Sequence, residues 1–178
     1  DLSTLVAGQR PRDDHGVMDD DRLELTISTG SGSYYHLVLT AANVLLDRRC
    51  DYEIEGKGYA PGGFSKFDAD LSWNCHGIQT AVHREKGAWT AEIAIPFTSL
   101  SFDPTSDTWG LNVNRGIRRN DEENRWADPA PQRFLSNLGN AGVLEGMTGI
   151  DQGLGLRIVG SGTVRRVDDH VADEGDTD

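Results

Sequence analysis

Aromatic and planar polar side chains are concentrated where a predicted strand runs into a charged loop, between residues 109 and 126. Trp126 lies inside that loop, and Trp73 lies at the boundary between an earlier loop and the next strand. An exposed indole can stack on the C–H face of a sugar ring, while amide and guanidinium groups beside it bind the hydroxyls. The polar candidates are Asn112, Asn114, Arg115, Arg119 and Glu123. Together with the two tryptophans, they predict a surface that binds a sugar.

The four tryptophans do not all carry the same weight as binding residues. Trp89 and Trp109 fall on the apolar faces of alternating strands, so we predict that both pack in the core. Trp73 and Trp126 lie outside such faces and are either an exposed platform or further packing residues.

The polar candidates also have a structural interpretation. Charged side chains in this segment could form a solvated loop with internal ion pairs such as Arg119–Glu123. Alternation places Asn112 and Asn114 on the face of their strand opposite the apolar residues, with Arg115 at the strand's end. For these three residues we favour ligand binding or anchoring of the loop.

Several acidic loops could supply oxygen ligands to Ca²⁺, which takes about six to eight of them. The aspartates concerned are Asp19, Asp20, Asp21, Asp103 and Asp107. Their spacing is not that of an EF-hand, and an acidic chain contains such clusters by chance. The two alternatives are therefore a structural calcium site and ordinary solvated loops.

The sequence contains no pattern typical of an active site. A Gly-x-Ser-x-Gly elbow, a His-Glu-x-x-His pair and a phosphate-binding loop are all absent from it. Glu92 and Glu123 could be considered as paired carboxylates for glycoside hydrolysis. However, Glu92 lies in a strand between apolar residues. We therefore predict a domain that is not an enzyme.

Cys50 and Cys75 flank a glycine-rich loop, and we predict a disulfide between them. A disulfide between them would close a loop of about 25 residues and add about 3 kcal/mol to stability. The alternative is two unrelated buried thiols.

The chain has 178 residues and a formal net charge of −12. That charge disfavours nucleic acid as a partner, and it disfavours anionic membranes. No apolar run approaches the ~20 residues of a membrane-spanning helix. The chain opens with Asp1 rather than Met, so we expect a processed or excised segment whose lack of a signal peptide says nothing about location.

Alternating apolar residues predict an all-β protein, specifically an antiparallel, jelly-roll-like β-sandwich. The predicted strands cover residues 21–29, 34–40, 44–48, 73–84, 87–96, 109–115, 141–147 and 154–159. Strands 87–96 and 109–115 are expected to pair in one sheet. The β domain is predicted to span residues 1–160, followed by an acidic, disordered tail at 161–178.

The pair of segments Gly87-Ala-Trp-Thr-Ala-Glu-Ile-Ala-Ile-Pro-Phe97 and Trp109-Gly-Leu-Asn-Val-Asn-Arg115 resembles the family 9-like carbohydrate-binding modules. The resemblance covers roughly residues 16 to 158. The segments 115–126 and 142–150 are similar to modules at the N-terminus of bacterial surface or outer-membrane proteins. The resemblance implies a non-catalytic β-sandwich that clamps a polysaccharide or oligosaccharide between aromatics, often with structural calcium. It also implies a secreted, periplasmic or cell-surface location in a bacterium.

The chain departs from this family at its start, because strands that precede the position of Asp20 in the family have no counterpart here. We expect either a missing N-terminal segment or a homodimer with a swapped start, since an uncovered sheet edge invites strand addition. The alternative function is a structural or protein-interaction domain of a bacterial surface protein that binds no sugar.

Overall fold

A computed structural model describes residues 2–51, 68–70, 72–127, 141–150 and 155–158. The all-β class is confirmed, and every strand pairing is antiparallel. The strands are β1 (Arg22–Ser28), β2 (Ser33–Thr40), β3 (Leu45–Asp51), β4 (Asp68–Asp70), β5 (Gln79–Glu85), β6 (Ala88–Pro96), β7 (Thr108–Ile117), β8 (Glu122–Arg125), β9 (Gly142–Glu145) and β10 (Gly155–Ile158). Short 3-10 helices cover Leu2–Thr4, His15–Asp19, Phe97–Ser99 and Arg118–Asn120.

The strands form two sheets. The larger has the order β4-β3-β2-β1-β7-β8, and β9 pairs with β7 on the same side as β8. The smaller sheet has the order β10-β6-β5. Strand β1 is therefore central, held on one side by β2 and on the other by β7.

Both sheets contribute side chains to one large hydrophobic core, which we call the main core. The larger sheet supplies alternate residues such as Leu25, Leu37 and Trp109, and the smaller sheet supplies Trp89 and Ile93. The predicted core packing of both tryptophans is confirmed, since they are 9% and 2% exposed. Burying such side chains contributes about 1.5–3 kcal/mol each before chain entropy is counted.

The predicted pairing of the strands around Trp89 and Trp109 is wrong, because β6 and β7 lie in different sheets. Pro96 ends β6, and the chain then turns through the 3-10 helix Phe97–Ser99. The connection up to Thr108 carries the chain to the larger sheet. The two apolar faces were identified correctly, but they meet across the core rather than side by side.

The predicted disulfide is also wrong. Both cysteines lie within the described residues and are buried, and no disulfide joins them. Cys75 belongs to the main core, where its N–H donates to Asp47 Oδ2 at 2.6 Å. Cys50 is three positions from Asp47 on β3, so alternation points its side chain to the opposite face of the sheet. The sheet itself separates the two thiols.

The start of the chain is attached to the larger sheet. The N–H of Asp21 donates to the carbonyl of Val6 at 2.6 Å, and the N–H of Asp13 donates to the carbonyl of Leu45 at 3.0 Å. Leu5 packs against the main core. The homodimer or swapped N-terminus stays a prediction.

Some expectations concern residues outside the described ranges, namely the tail at 161–178 and most of the glycine-rich loop after Cys50. Within the described residues, the chain contains no helix with the length and apolar character to cross a bilayer.

Candidate functional site

The face of the larger sheet opposite the main core carries a row of hydrogen-bonded polar side chains that crosses five strands. We call it the polar row, and its members are Arg48 on β3, His36 on β2, Arg22 and Glu24 on β1, Asn114 on β7 and Glu123 on β8. Cross-strand neighbours point to the same face, so the antiparallel register brings these residues together.

Glu24 is the centre of the polar row. Its Oε1 accepts hydrogen bonds from Arg22 Nε at 2.8 Å and from Asn114 Nδ2 at 3.0 Å. Its Oε2 accepts one from His36 Nε2 at 2.9 Å. Burial alone would raise the pKa of Glu24, but the partners His36 and Arg22 outweigh burial and bring the pKa well below 4.5. The carboxylate is therefore ionised at neutral pH.

The hydrogen bonds of His36 assign its protonation state. Arg48 Nε donates to His36 Nδ1 at 3.0 Å, and a guanidinium has no acceptor, so Nδ1 carries no proton. The proton is then on Nε2, which donates to Glu24. Burial lowers the pKa of His36, and the nearby Arg48 and Arg22 charges lower it further. His36 is thus a neutral imidazole between two charged groups.

Lowering the pH from about 7 to about 4 is expected to destabilise the fold through the polar row. The unfolded chain binds protons at His36 near pH 6.5 and at Glu24 near pH 4.5, whereas both pKa values are lower in the folded state. The unfolded state then binds more protons, so the free energy of unfolding falls as the pH falls. Urea unfolding across this range measures the slope.

His36→Asn should remove the part of that slope between about pH 7 and 5, where an imidazole titrates. His83→Asn is the control, because His83 is exposed on β5. An unfolding free energy that stays constant over this range in the unmodified protein would contradict the expectation.

The polar row is balanced within itself. Two guanidinium groups face two carboxylates, with a neutral imidazole between them. Asn114 Nδ2 donates to both Glu24 and Glu123, at 3.0 and 2.5 Å, so this amide nitrogen is already occupied. Asn112 Oδ1 accepts the N–H groups of Val113 and Ala127, which anchors the chain beyond β8. These contacts place Asn112, Asn114 and Glu123 in a supporting network.

Trp126 lies on the other side of the sheet. The main-chain N–H of Trp126 donates to the carbonyl of Val113 at 2.8 Å, and the side chain is 61% exposed. A Cβ at Gly142 would overlap the indole ring. Gly142 is directly opposite Leu111, a core residue, so the ring lies on the core-facing side at the sheet's margin. The glycine leaves the space that the ring occupies.

Arg115 shares that side with Trp126. It is directly opposite Asn124 on β8, and alternation gives Glu122 and Asn124 the same orientation. We call Arg115, Glu122, Asn124 and Trp126 the edge platform. Glu122 accepts hydrogen bonds from Asn124 at 2.7 Å and from Asn120 at 3.2 Å. An exposed aromatic ring thus has charged and amide side chains as its neighbours.

The structure does not bring the predicted site residues into one surface. Trp73 packs on Tyr35, with ring centroids 4.8 Å apart, and it is partly buried against the main core. Arg119 lies near Arg115, and its Nη1 donates to Asp21 Oδ2 at 3.3 Å. Of the predicted residues, Trp126 and Arg115 therefore lie on the same side of the sheet, and Arg119 lies within electrostatic range of Arg115.

Sequence reasoning missed much of the polar row. Glu24 and His36 alternate with apolar residues, which identifies their face of the sheet but not their partners. Arg22 and Arg48 lie at the ends of predicted strands and gave no signal of their own. Only the register between strands shows that these four side chains meet.

The five aspartates predicted to bind calcium lie at two ends of β1. Asp19–Asp21 precede this strand, whereas Asp103 and Asp107 lie where it ends, and the N–H of Asp103 donates to the carbonyl of Thr29. Asp21 accepts hydrogen bonds from three N–H groups of the chain itself. In the described part of the chain, no group of three or more His, Cys, Asp or Glu side chains could hold a metal ion. A structural calcium ion stays a prediction.

The chain matches no family model, no curated protein and no solved structure. The function of this domain is therefore inferred from the geometry of its own side chains.

Proposed function

We propose that this domain is a non-catalytic carbohydrate-binding module that stacks a sugar ring on Trp126. The observation that carries the proposal is the 61% exposed indole, held at a sheet margin beside hydrogen-bonding side chains. An indole face packs well against the C–H face of a pyranose, and polar neighbours select its hydroxyls.

The position of the ring favours a binding role over chance exposure. Its main chain is hydrogen-bonded to β7, and its side chain covers the bare backbone of Gly142. A ring that is already positioned loses little conformational entropy when a ligand stacks on it.

The neighbours of Trp126 are suited to sugar hydroxyls. Asn124 offers amide groups and Arg115 offers a guanidinium fork, and both lie on the same side of the sheet as the ring. Arg119 lies within electrostatic range of Arg115. The polar row on the opposite face keeps β1, β7 and β8 in register, so it supports the platform from behind.

The expected partner is a polysaccharide or oligosaccharide, and the module is proposed to act outside the cytoplasm of a bacterium. A role as accessory to an enzyme or transporter fits a domain that binds without turnover. The carboxylate of Glu122 is already hydrogen-bonded to two asparagines, which suits positioning rather than proton transfer.

Trp126→Ala is expected to weaken binding to the preferred polysaccharide by about tenfold or more, the usual scale for an aromatic hot spot. Trp126→Phe should keep part of the affinity, because a smaller ring still stacks. A glycan array identifies the ligand, and retention in an affinity gel then compares the variants.

Val143→Ala is the matched control. Val143 is 60% exposed on β9, directly opposite Gly110, and thus on the other face of the sheet. The substitution removes exposed apolar surface from the same margin of the sheet without changing the edge platform. Retention of the protein in the affinity gel should therefore not change. Equal retention of Trp126→Ala and the unmodified protein would remove Trp126 as the binding residue.

A further inference from the structure

We propose that the edge platform selects acidic sugars, and that Arg115 binds the carboxylate of a uronic acid stacked on Trp126. This inference rests on the proposed carbohydrate-binding function and adds the chemical class of the ligand.

The first observation is the state of the Arg115 side chain. It is half-buried on β7, and among the described residues its guanidinium has no hydrogen-bond or salt-bridge partner. Burial lowers the pKa of Arg115, although the nearby charges of Glu122 and Asp21 act to raise it. A guanidinium stays protonated at physiological pH, so a positive charge with unused donors remains at this site.

The second observation concerns the arginines close by in the sequence, whose charges are already engaged. Arg118 pairs with Asp19 and Asp121, and Arg119 pairs with Asp21. Within the described part of the segment 115–119, Arg115 is thus the arginine that has no carboxylate within salt-bridge distance. Arg115 thus differs from Arg118 and Arg119, each of which forms an ion pair with an aspartate.

The carboxylates near Arg115 are committed to other partners. Glu122 and Asp21 lie within electrostatic range of Arg115. Glu122 accepts hydrogen bonds from two asparagines, and Asp21 accepts them from N–H groups of other residues. Neither occupies the donors of the Arg115 fork, which leaves them for a ligand.

The third observation is the distance between the charge and the ring. Arg115 is directly opposite Asn124, and Trp126 follows Asn124 by two residues on the same side of the sheet. Such diagonal neighbours lie about 7–8 Å apart, within reach of long and aromatic side chains. One sugar residue can therefore stack on the indole while its exocyclic carboxylate meets the guanidinium.

A carboxylate is the group that the fork of an arginine fits best. Two parallel N–H···O bonds form between the planar groups, and such charge-assisted bonds are about twice as strong as neutral ones. The net charge of −12 does not prevent this contact, because charges beyond about 8 Å are largely screened at physiological salt. The preference for acidic sugars therefore depends on the short-range pair between the Arg115 guanidinium and the ligand carboxylate.

The test compares acidic polysaccharides with their carboxyl-reduced forms, in which each carboxylate has become a neutral hydroxymethyl group. Polygalacturonate, polyglucuronate and alginate, each with its reduced form, are titrated into the full chain by calorimetry. At least one acidic form is expected to bind about tenfold tighter than its reduced form, a difference of about 1.4 kcal/mol. Arg115→Gln should abolish that difference, so that the acidic form binds no tighter than its reduced form.

Arg118→Gln is the matched control, since it removes the same charge from an exposed, paired arginine three residues away. It should keep the preference for the acidic form. Equal affinity for acidic and reduced forms, a preference that survives Arg115→Gln, or binding of sulfated glycans alone would overturn the inference.

Trp126→Ala separates the two proposals. If it weakens binding to both forms and neither form is preferred, the carbohydrate-binding function stands and the acidic preference falls. If no glycan binds the unmodified protein, or if Trp126→Ala changes nothing, the proposed function itself falls. Thermal unfolding of each variant verifies that the fold is intact.

Discussion

Replacing Glu24 with leucine is expected to lower the free energy of unfolding by about 3–5 kcal/mol. The substitution leaves Arg22, His36 and Asn114 without their shared acceptor in a buried part of the sheet. Breaking a buried ionic network by removing one partner leaves uncompensated polar groups, which is the main source of the loss. Urea unfolding followed by tryptophan fluorescence measures it.

Glu24→Gln should lose less, because the amide keeps one acceptor oxygen and Arg22 still contacts Glu123. Glu122→Gln is the control for the loss of a carboxylate, since Glu122 is exposed on β8 and should change stability by less than about 0.5 kcal/mol. If Glu24→Leu were as stable as the unmodified protein, the polar row would not stabilise the sheet.

Trp109→Ala is expected to cost a similar amount, about 3–5 kcal/mol, through a cavity in the main core. Trp109 is 2% exposed and makes an edge contact with Phe97 at a centroid distance of 5.5 Å. It also contacts Phe102 at 5.5 Å. The loss of the large ring removes contacts with the connection that links the two sheets. Denaturant unfolding again gives the free energy.

Trp109→Phe distinguishes volume from polarity. The Nε1–H of Trp109 is buried and has no hydrogen-bond partner within the described residues, so phenylalanine removes an unsatisfied group together with part of the volume. We expect a loss well below that of Trp109→Ala. Trp126→Ala provides the surface comparison and should shift stability by about 0.5 kcal/mol or less. A Trp109→Ala protein with unchanged stability would contradict the core assignment.

Alternation predicted most of the strands because each has a clear apolar face. The prediction for residues 87–96 differs from β6 by one residue, and that for 34–40 differs from β2 by one. Residues 73–84 were predicted as one strand, but β5 begins only at Gln79. Gly77 has a φ of 78°, and the N–H of Ile78 closes a turn on Cys75. Local backbone conformation overrode the apolar pattern there.

Strand β8 escaped prediction because its sequence, Glu-Glu-Asn-Arg, has no apolar face to reveal a period of two. It forms because the chain turns back after β7, with Asp121 in the left-handed conformation at a φ of 51°. Aspartate tolerates that conformation better than most residues, so the Asn120–Asp121 pair was the available signal. Because β8 was not predicted, its register with β7 was unknown, and the side of the sheet on which Trp126 lies could not be predicted.

The division of the predicted site between two faces follows from that missing register. Alternation alone put Asn112 and Asn114 on the non-core face, and the structure agrees. The side of the sheet that Trp126 occupies depends on β8 pairing with β7 and on the space at Gly142. Both features depend on contacts between residues that are far apart in sequence, so no local residue pattern predicts them.

The pairing of β1 with β7 also has a consequence for how the chain folds. Glu24 and Asn114 are hydrogen-bonded although 90 residues separate them, whereas β2 directly follows β1 in sequence and β3 directly follows β2. During synthesis the β1–β2–β3 meander can form early. Until β7 emerges, however, β1 has no pairing partner on its other side, and Glu24 lacks its hydrogen bond from Asn114. Closing so large a loop makes folding slow compared with that of proteins built from local contacts. For that interval the centre of the future sheet is an open edge, which a chaperone or a second nascent chain could occupy.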